Sequence, residues 1–128
     1  MPTFHQPGGV SPPFGKYSHS VEVGAGARWL HVSGQVGVTP DGRLADGVAA
    51  QCEWAWKNLL AILEQSDMDM ADVVKTTTYL VNADHVADFR EARDRVIGDA
   101  RPASTLVVID ALASPDWLVE IELVAARE

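Results

Sequence analysis

A single cysteine, Cys52, stands among the 128 residues, so no disulfide can form within the chain. That fits a reducing compartment. Cations are scarce as well: ten lysines and arginines face eighteen aspartates and glutamates, for a formal net charge of −8. Nucleic-acid binders concentrate basic residues, because phosphate neutralisation dominates their affinity. Here the densest basic group, Arg90, Arg93 and Arg95, is interleaved with Glu91 and Asp94. That pattern reads as a solvated helix face with local ion pairs, and a nucleic-acid partner is disfavoured. No apolar run approaches the roughly 20 residues that span a bilayer, so no membrane partner is expected. The opening MPTFHQPGGV has neither a basic region nor an apolar stretch. No signal peptide is visible, and a cytoplasmic home is the default. The four histidines, His5, His19, His31 and His85, stand apart from any partner at metal-ligand spacing, so no metal site is expected.

What remains is a chain of ordinary globular composition, 47% hydrophobic and 22% charged. Residues 1–128 suit one domain, and a domain of this size buries roughly two-thirds of its unfolded surface. Residues 1–16 hold four of the seven prolines and three glycines, which predicts an irregular arm and neither strand nor helix. Tyr17 to Val23 alternates roughly and predicts a strand. Gly24-Ala25-Gly26 supplies a turn, and Trp29 to Ser33 reads as the hairpin partner. From Val48 to Leu63 the apolar residues Val48, Cys52, Ala55, Leu59 and Ile62 fall at helical offsets, with Asp46 as N-cap. Cys52 thus reads as a small buried hydrophobe and not as a nucleophile. Val73 to Val81 is rich in β-branched residues and predicts a strand. A second helix is expected from about Ala83 to Ile97, with Val86, Phe89, Arg93 and Val96 at helical spacing and Gly98 as its stop. Ser104 to Ile109 and Leu118 to Ala125 close the chain as strands.

The order β-β-α-β-α-β-β predicts an α+β architecture, with two helices on one face of a mixed sheet. The strand STLVVI is apolar on both faces, and VVKTTTYLV nearly so apart from Lys75. A sheet covered on one side needs one apolar face. A homo-oligomer is inferred to cover the other.

Several segments carry a resemblance. Gly15-Lys16-Tyr17-Ser18-His19, Val32-Ser33-Gly34-Gln35, Asn58-Leu59, Asp72 to Thr77, Pro102-Ala103 and Glu120-Ile121-Glu122 occur in this order. As an ordered set they resemble the YjgF/RidA, or Rid, family over nearly the whole chain from about residue 15. The resemblance implies a chorismate-mutase-like α+β subunit in a homotrimer, with small-molecule clefts between subunits. It implies hydrolysis of imines and enamines such as 2-aminoacrylate to a 2-keto acid and ammonia, as in a 2-iminobutanoate/2-iminopropanoate deaminase, with no metal or organic cofactor. Glu120 takes the catalytic role of positioning or polarising water. Tyr17, Ser33, Gly34 and Gln35 outline the pocket. His19, two residues from Tyr17 on the same strand face, is a candidate acid/base, although a structural hydrogen bond is the commoner role for such a histidine.

One position departs from the pattern. Deaminating members carry an arginine after Pro-Ala that grips the substrate carboxylate, and here Ser104 stands there. A charge-assisted bond of that kind contributes about 1.5–3 kcal/mol, and a hydroxyl cannot reproduce the guanidinium fork. Ser104 and Thr105 are read as polar groups contacting the ligand. Arg90, where many relatives carry asparagine, or Arg101 is the candidate for a displaced cation. Asp67, where relatives carry glycine, is expected to take a left-handed backbone without consequence for function. Three functions follow in descending order: an imine/enamine hydrolase with altered preference, a non-catalytic trimer that binds a small metabolite or carboxylate, and an endoribonuclease or translation inhibitor.

Overall fold

The computed structural model describes residues 2–128. Strands β1 (Thr3–His5) and β2 (Ser20–Glu22) form an antiparallel ribbon. Strand β3 (Arg28–Val36), helix α1 (Val48–Gln65), strand β4 (Val73–Leu80), helix α2 (Val86–Ile97), and strands β5 (Ala103–Val108) and β6 (Val119–Arg127) build the body. The sheet order is β3-β6-β4-β5; β6 is antiparallel to both neighbours, and β4 runs parallel to β5. This is the α+β arrangement expected, two helices on a mixed sheet.

Alternation explains why β6 sits in the middle. Val119, Ile121, Leu123 and Ala125 are buried against the helices, while Glu120, Glu122 and Val124 between them face the other way. Helix α1 answers with Cys52, Ala55, Trp56, Leu59 and Leu63, all buried at helical offsets. The rings of Trp56 and Phe89 stack with centroids 6.5 Å apart and join α1 to α2.

Three expectations are corrected. The hairpin between β2 and β3 does not form. β3 instead pairs with β6 from Arg28↔Arg127 to Val36↔Glu120, because the nine-residue β6 offers a long ladder that a three-residue strand cannot match. The arm is not wholly irregular: its residues Thr3–His5 supply the partner that β2 lacks. The N-cap of α1 is Gly47, at φ 87°, and Asp46 caps nothing. The second helix begins with a 3-10 turn, Ala83–His85, in which Asn82 accepts the Asp84 N–H at 2.9 Å. Asp67 does adopt a left-handed backbone (φ 55°), and Gly98 (φ 53°) ends α2.

Two contacts fix α1 against the strand ends. Asn58 donates to the carbonyls of Val38 (2.9 Å) and Val36 (3.3 Å). Gln51 donates to the Asp116 carbonyl at 3.2 Å and accepts the Leu118 N–H at 2.9 Å. The close approach needs Gly37, where a Cβ would lie 2.4 Å from the Gln51 Cα.

The sheet face away from the helices is amphipathic. β4 presents Lys75, Thr77 and Tyr79 there, all half-buried, so it is more polar than its sequence suggested. The apolar surface on that side lies at Trp29, 53% exposed, and Val107, 37% exposed.

Gly37→Ala is expected to destabilise the fold by about 1–3 kcal/mol, because the atom it meets is backbone and cannot swing aside. The urea midpoint reads this, and an unchanged midpoint would refute the close approach. Burial, with a smaller push from Asp88, raises the Cys52 thiol to about 12. Cys52 is therefore expected to resist iodoacetamide at pH 8 and to react once urea unfolds the chain.

Candidate functional site

Beyond β5, on the helix side of the sheet, lies a cavity of about 200 Å³. The arm supplies Phe14 and Gly15 to its wall, and Tyr17 follows just after it; α2 supplies Arg90 and Arg93, and β5 supplies Ser104 and Leu106. The arm is held there by backbone bonds. Ser18 N–H donates to the Pro102 carbonyl at 3.1 Å, and Ser18 bridges Ala103. The Tyr17 hydroxyl accepts the Phe14 N–H at 3.1 Å. Ser104 Oγ accepts the hydroxyl of its register partner, the buried Thr76, at 3.1 Å.

Arg93 is the most buried cation among the described residues, its side chain only 10% exposed. Its guanidinium lies 5.8 Å from the centroid of the Phe89 ring. Nη2 and Nε both reach one oxygen of Asp94, at 3.0 and 3.1 Å. The other Asp94 oxygen lies 4.0 Å from Lys16 Nζ. Arg90, one turn away, is exposed at the rim.

A second group lies on the opposite sheet face. Ser33 and Gly34 form a β-bulge in β3, where the register with β6 shifts between Val32 and Gln35. The bulge brings Gly34 under Glu120: a Cβ at Gly34 would fall 1.9 Å from Glu120 Oε2. Gln35 is turned back to donate to the Ser33 carbonyl at 3.2 Å. Beside them Tyr79 donates to Glu122 Oε1 at 2.5 Å. That bond, above all, holds the phenol above its ordinary range. Lys75 donates to Thr105 Oγ1 at 2.7 Å, and burial lowers its ammonium against the pull of Glu122.

The residues singled out in the sequence therefore fall into separate groups. Tyr17, Arg90 and Ser104 meet in the cavity. Ser33, Gly34, Gln35 and Glu120 meet at the bulge. Thr105 points to the sheet face away from Ser104, as strand alternation requires. Arg101 is drawn off altogether: its Nη1 donates to the carbonyls of Gly98 (2.8 Å) and Ala100 (2.7 Å) at the end of α2. It borders a different cavity, of about 580 Å³, with Phe4 and Ala71. His19 lines a recess with Pro7, Pro12 and Pro13, and its buried Nδ1 has no partner among the described residues. The residue the sequence reading passed over is Arg93. Its signal was present, an arginine four residues after Phe89 on the apolar stripe of α2. Among the described residues no cluster could hold a metal ion, and no helix is long and apolar enough to cross a membrane.

The family model described as Endoribonuclease L-PSP matches residues 9–127. The chain belongs to this family, the YjgF/RidA proteins. Among its relatives is the human 2-iminobutanoate/2-iminopropanoate deaminase, 33% identical over 127 residues, which cover 98% of this chain and 87% of the human one. A RutC family protein of Pyrococcus abyssi is 32% identical over 118 residues, covering 91% of this chain and 90% of its own. The solved Rid-family protein YyfB of Yersinia pestis, of unknown function, superposes with a TM-score of 0.87 at 32% identity, covering 98% of both chains. A Rid subunit is thus the frame in which both residue groups stand.

Gly34→Ala is expected to fold, since its backbone is not left-handed, but to push the Glu120 carboxylate off the bulge. A crystal structure of that variant with Glu120 unmoved would contradict the packing described.

Proposed function

We propose that this chain is a RidA-like hydrolase of small imines and enamines, with a cleft completed between copies of the chain in a homotrimer. The observation that carries the reading is Glu120. Its carboxylate is half-buried over the Ser33-Gly34 bulge and meets no hydrogen-bond or ion-pair partner among the described residues. A carboxylate so held, with its oxygens uncommitted, suits water activation. In the proposed reaction water adds to the C=N carbon while Glu120 takes its proton. With the imine entering protonated, this gives a neutral carbinolamine. Glu120 returns the proton to nitrogen, the C–N bond breaks and ammonia leaves, and the hydroxyl proton passes to solvent as the C=O bond of the keto acid forms.

Sheet geometry supports the shared cleft. Glu120 on β6 and Ser104 on β5 are two strand spacings apart, about 10 Å, and Ser33 on β3 is one spacing further. Their side chains also leave opposite faces, so one chain cannot wrap them round a small molecule. A second copy docked over the exposed Trp29 and Val107 would remove apolar surface from water and bring a bulge to a cavity. The alternative reading, a non-catalytic trimer that binds a small metabolite, is favoured by Ser104 at the place of the carboxylate-binding arginine.

The two readings part in one assay, in which imines are generated in place by an amino-acid oxidase and ammonia and keto acid are followed. Hydrolysis is expected, with a loss of at least about a hundredfold in Glu120→Ala, and sedimentation is expected to give three chains per particle. No acceleration across acidic and neutral amino-acid imines would leave the binding reading in its place. A stable monomer would remove the shared cleft.

A further inference from the structure

We infer that Arg93 has taken over carboxylate binding in this cavity, moving the cationic contact from strand β5 to helix α2; this deepens the proposed function and rests on its cavity. Four observations lead there. In a chain of net charge −8, the cavity wall holds two guanidinium groups and no carboxylate. Arg93 is buried although a charge taken from water needs compensation. Its one acidic contact, Asp94, is 37% exposed and is shared with Lys16, so positive charge is left over. Finally, the contact uses Nε and Nη2 on a single Asp94 oxygen, and Nη1 has no partner among the described residues.

The other polar groups point the same way. Tyr17 and Ser104 each spend an oxygen lone pair on an incoming N–H or O–H, which leaves their own protons to be given. With Arg93 and Arg90 the cavity offers an array of donors, the complement of a group that only accepts. Gly15 lies beside the Arg93 guanidinium: a Cβ there would stand in van der Waals contact with Nη2 at 3.6 Å and Nη1 at 4.0 Å. A planar carboxylate fits a guanidinium edge, and Leu106 and Phe14 offer apolar surface to a short carbon chain. A cavity of about 200 Å³ is below the usual range for drug-sized ligands and suits a small acid.

The test uses the full chain with pyruvate and the uncharged pyruvamide as probes, followed by calorimetry. Pyruvate is expected to bind more tightly than pyruvamide. Arg93→Gln is expected to weaken pyruvate about ten- to a hundredfold and to leave pyruvamide nearly unchanged. The double variant Arg93→Gln with Ser104→Arg is expected to recover most of the loss, which a merely structural arginine would not allow. Should Arg93→Gln melt early, Ser104→Glu serves instead. Its carboxylate would occupy Arg93 and abolish pyruvate binding, whereas the neutral Ser104→Gln would retain more of it. Unweakened pyruvate binding in folded Arg93→Gln, or in Ser104→Glu, would overturn the inference while leaving Glu120-dependent hydrolysis standing. A wild-type chain that hydrolyses imines yet binds pyruvate and pyruvamide equally would overturn the inference alone. A chain that neither hydrolyses imines nor binds either probe would overturn it together with the hydrolase reading.

Discussion

Strand β6 packs alternate side chains into the helices and, by the same alternation, points two carboxylates at the opposite face. Val119, Ile121 and Leu123 cannot be buried without Glu120 and Glu122 turning outward. The bulge at Ser33-Gly34 then gives Glu120 a seat that no side chain occupies. Packing energy and the chemistry of the carboxylate are therefore set by one geometric phase, and neither can change without the other.

The cavity at β5 is organised on a different principle. Its walls come from the N-terminal segment and, much further along the chain, from α2 and β5, and the arm is docked by the Ser18 N–H on the Pro102 carbonyl and the Ser18–Ala103 bridge. Such bonds are indifferent to side-chain identity. Residue 104 can therefore vary in chemistry while the main-chain docking keeps its shape. The scaffold itself superposes closely on another Rid-family protein.

Local features were legible in the sequence because they depend on near neighbours. The helical offsets of α1, the β-branched run of β4, the left-handed backbone at Asp67 and the stop at Gly98 all belong here. The β2–β3 hairpin failed because strand pairing is a competition over the whole chain, and β6 lies some ninety residues beyond β3. The strand in the arm went unseen for the same reason, since Thr3–His5 becomes regular only by pairing with Ser20–Glu22. Site residues were legible as types and less so as neighbours. Ser104 and Thr105 are adjacent in sequence and point to opposite faces, and Arg101 is captured by the carbonyls at the end of α2. Arg93 was masked by its setting. An arginine among acidic residues on a helix reads as a surface cation until the packing of the arm over it is known.

Gln51 occupies an unusual position in this scheme. Its amide group takes one hydrogen bond from, and gives one to, the chain just ahead of β6, as a peptide unit of an adjoining strand would. A helical side chain thereby clamps the point at which β6 starts counting. Were that origin displaced by a single residue, the acids would turn towards the core and the aliphatics towards the outside, so the carboxamide on α1 reinforces, at the strand's first residue, the phase that the buried aliphatics impose along its length.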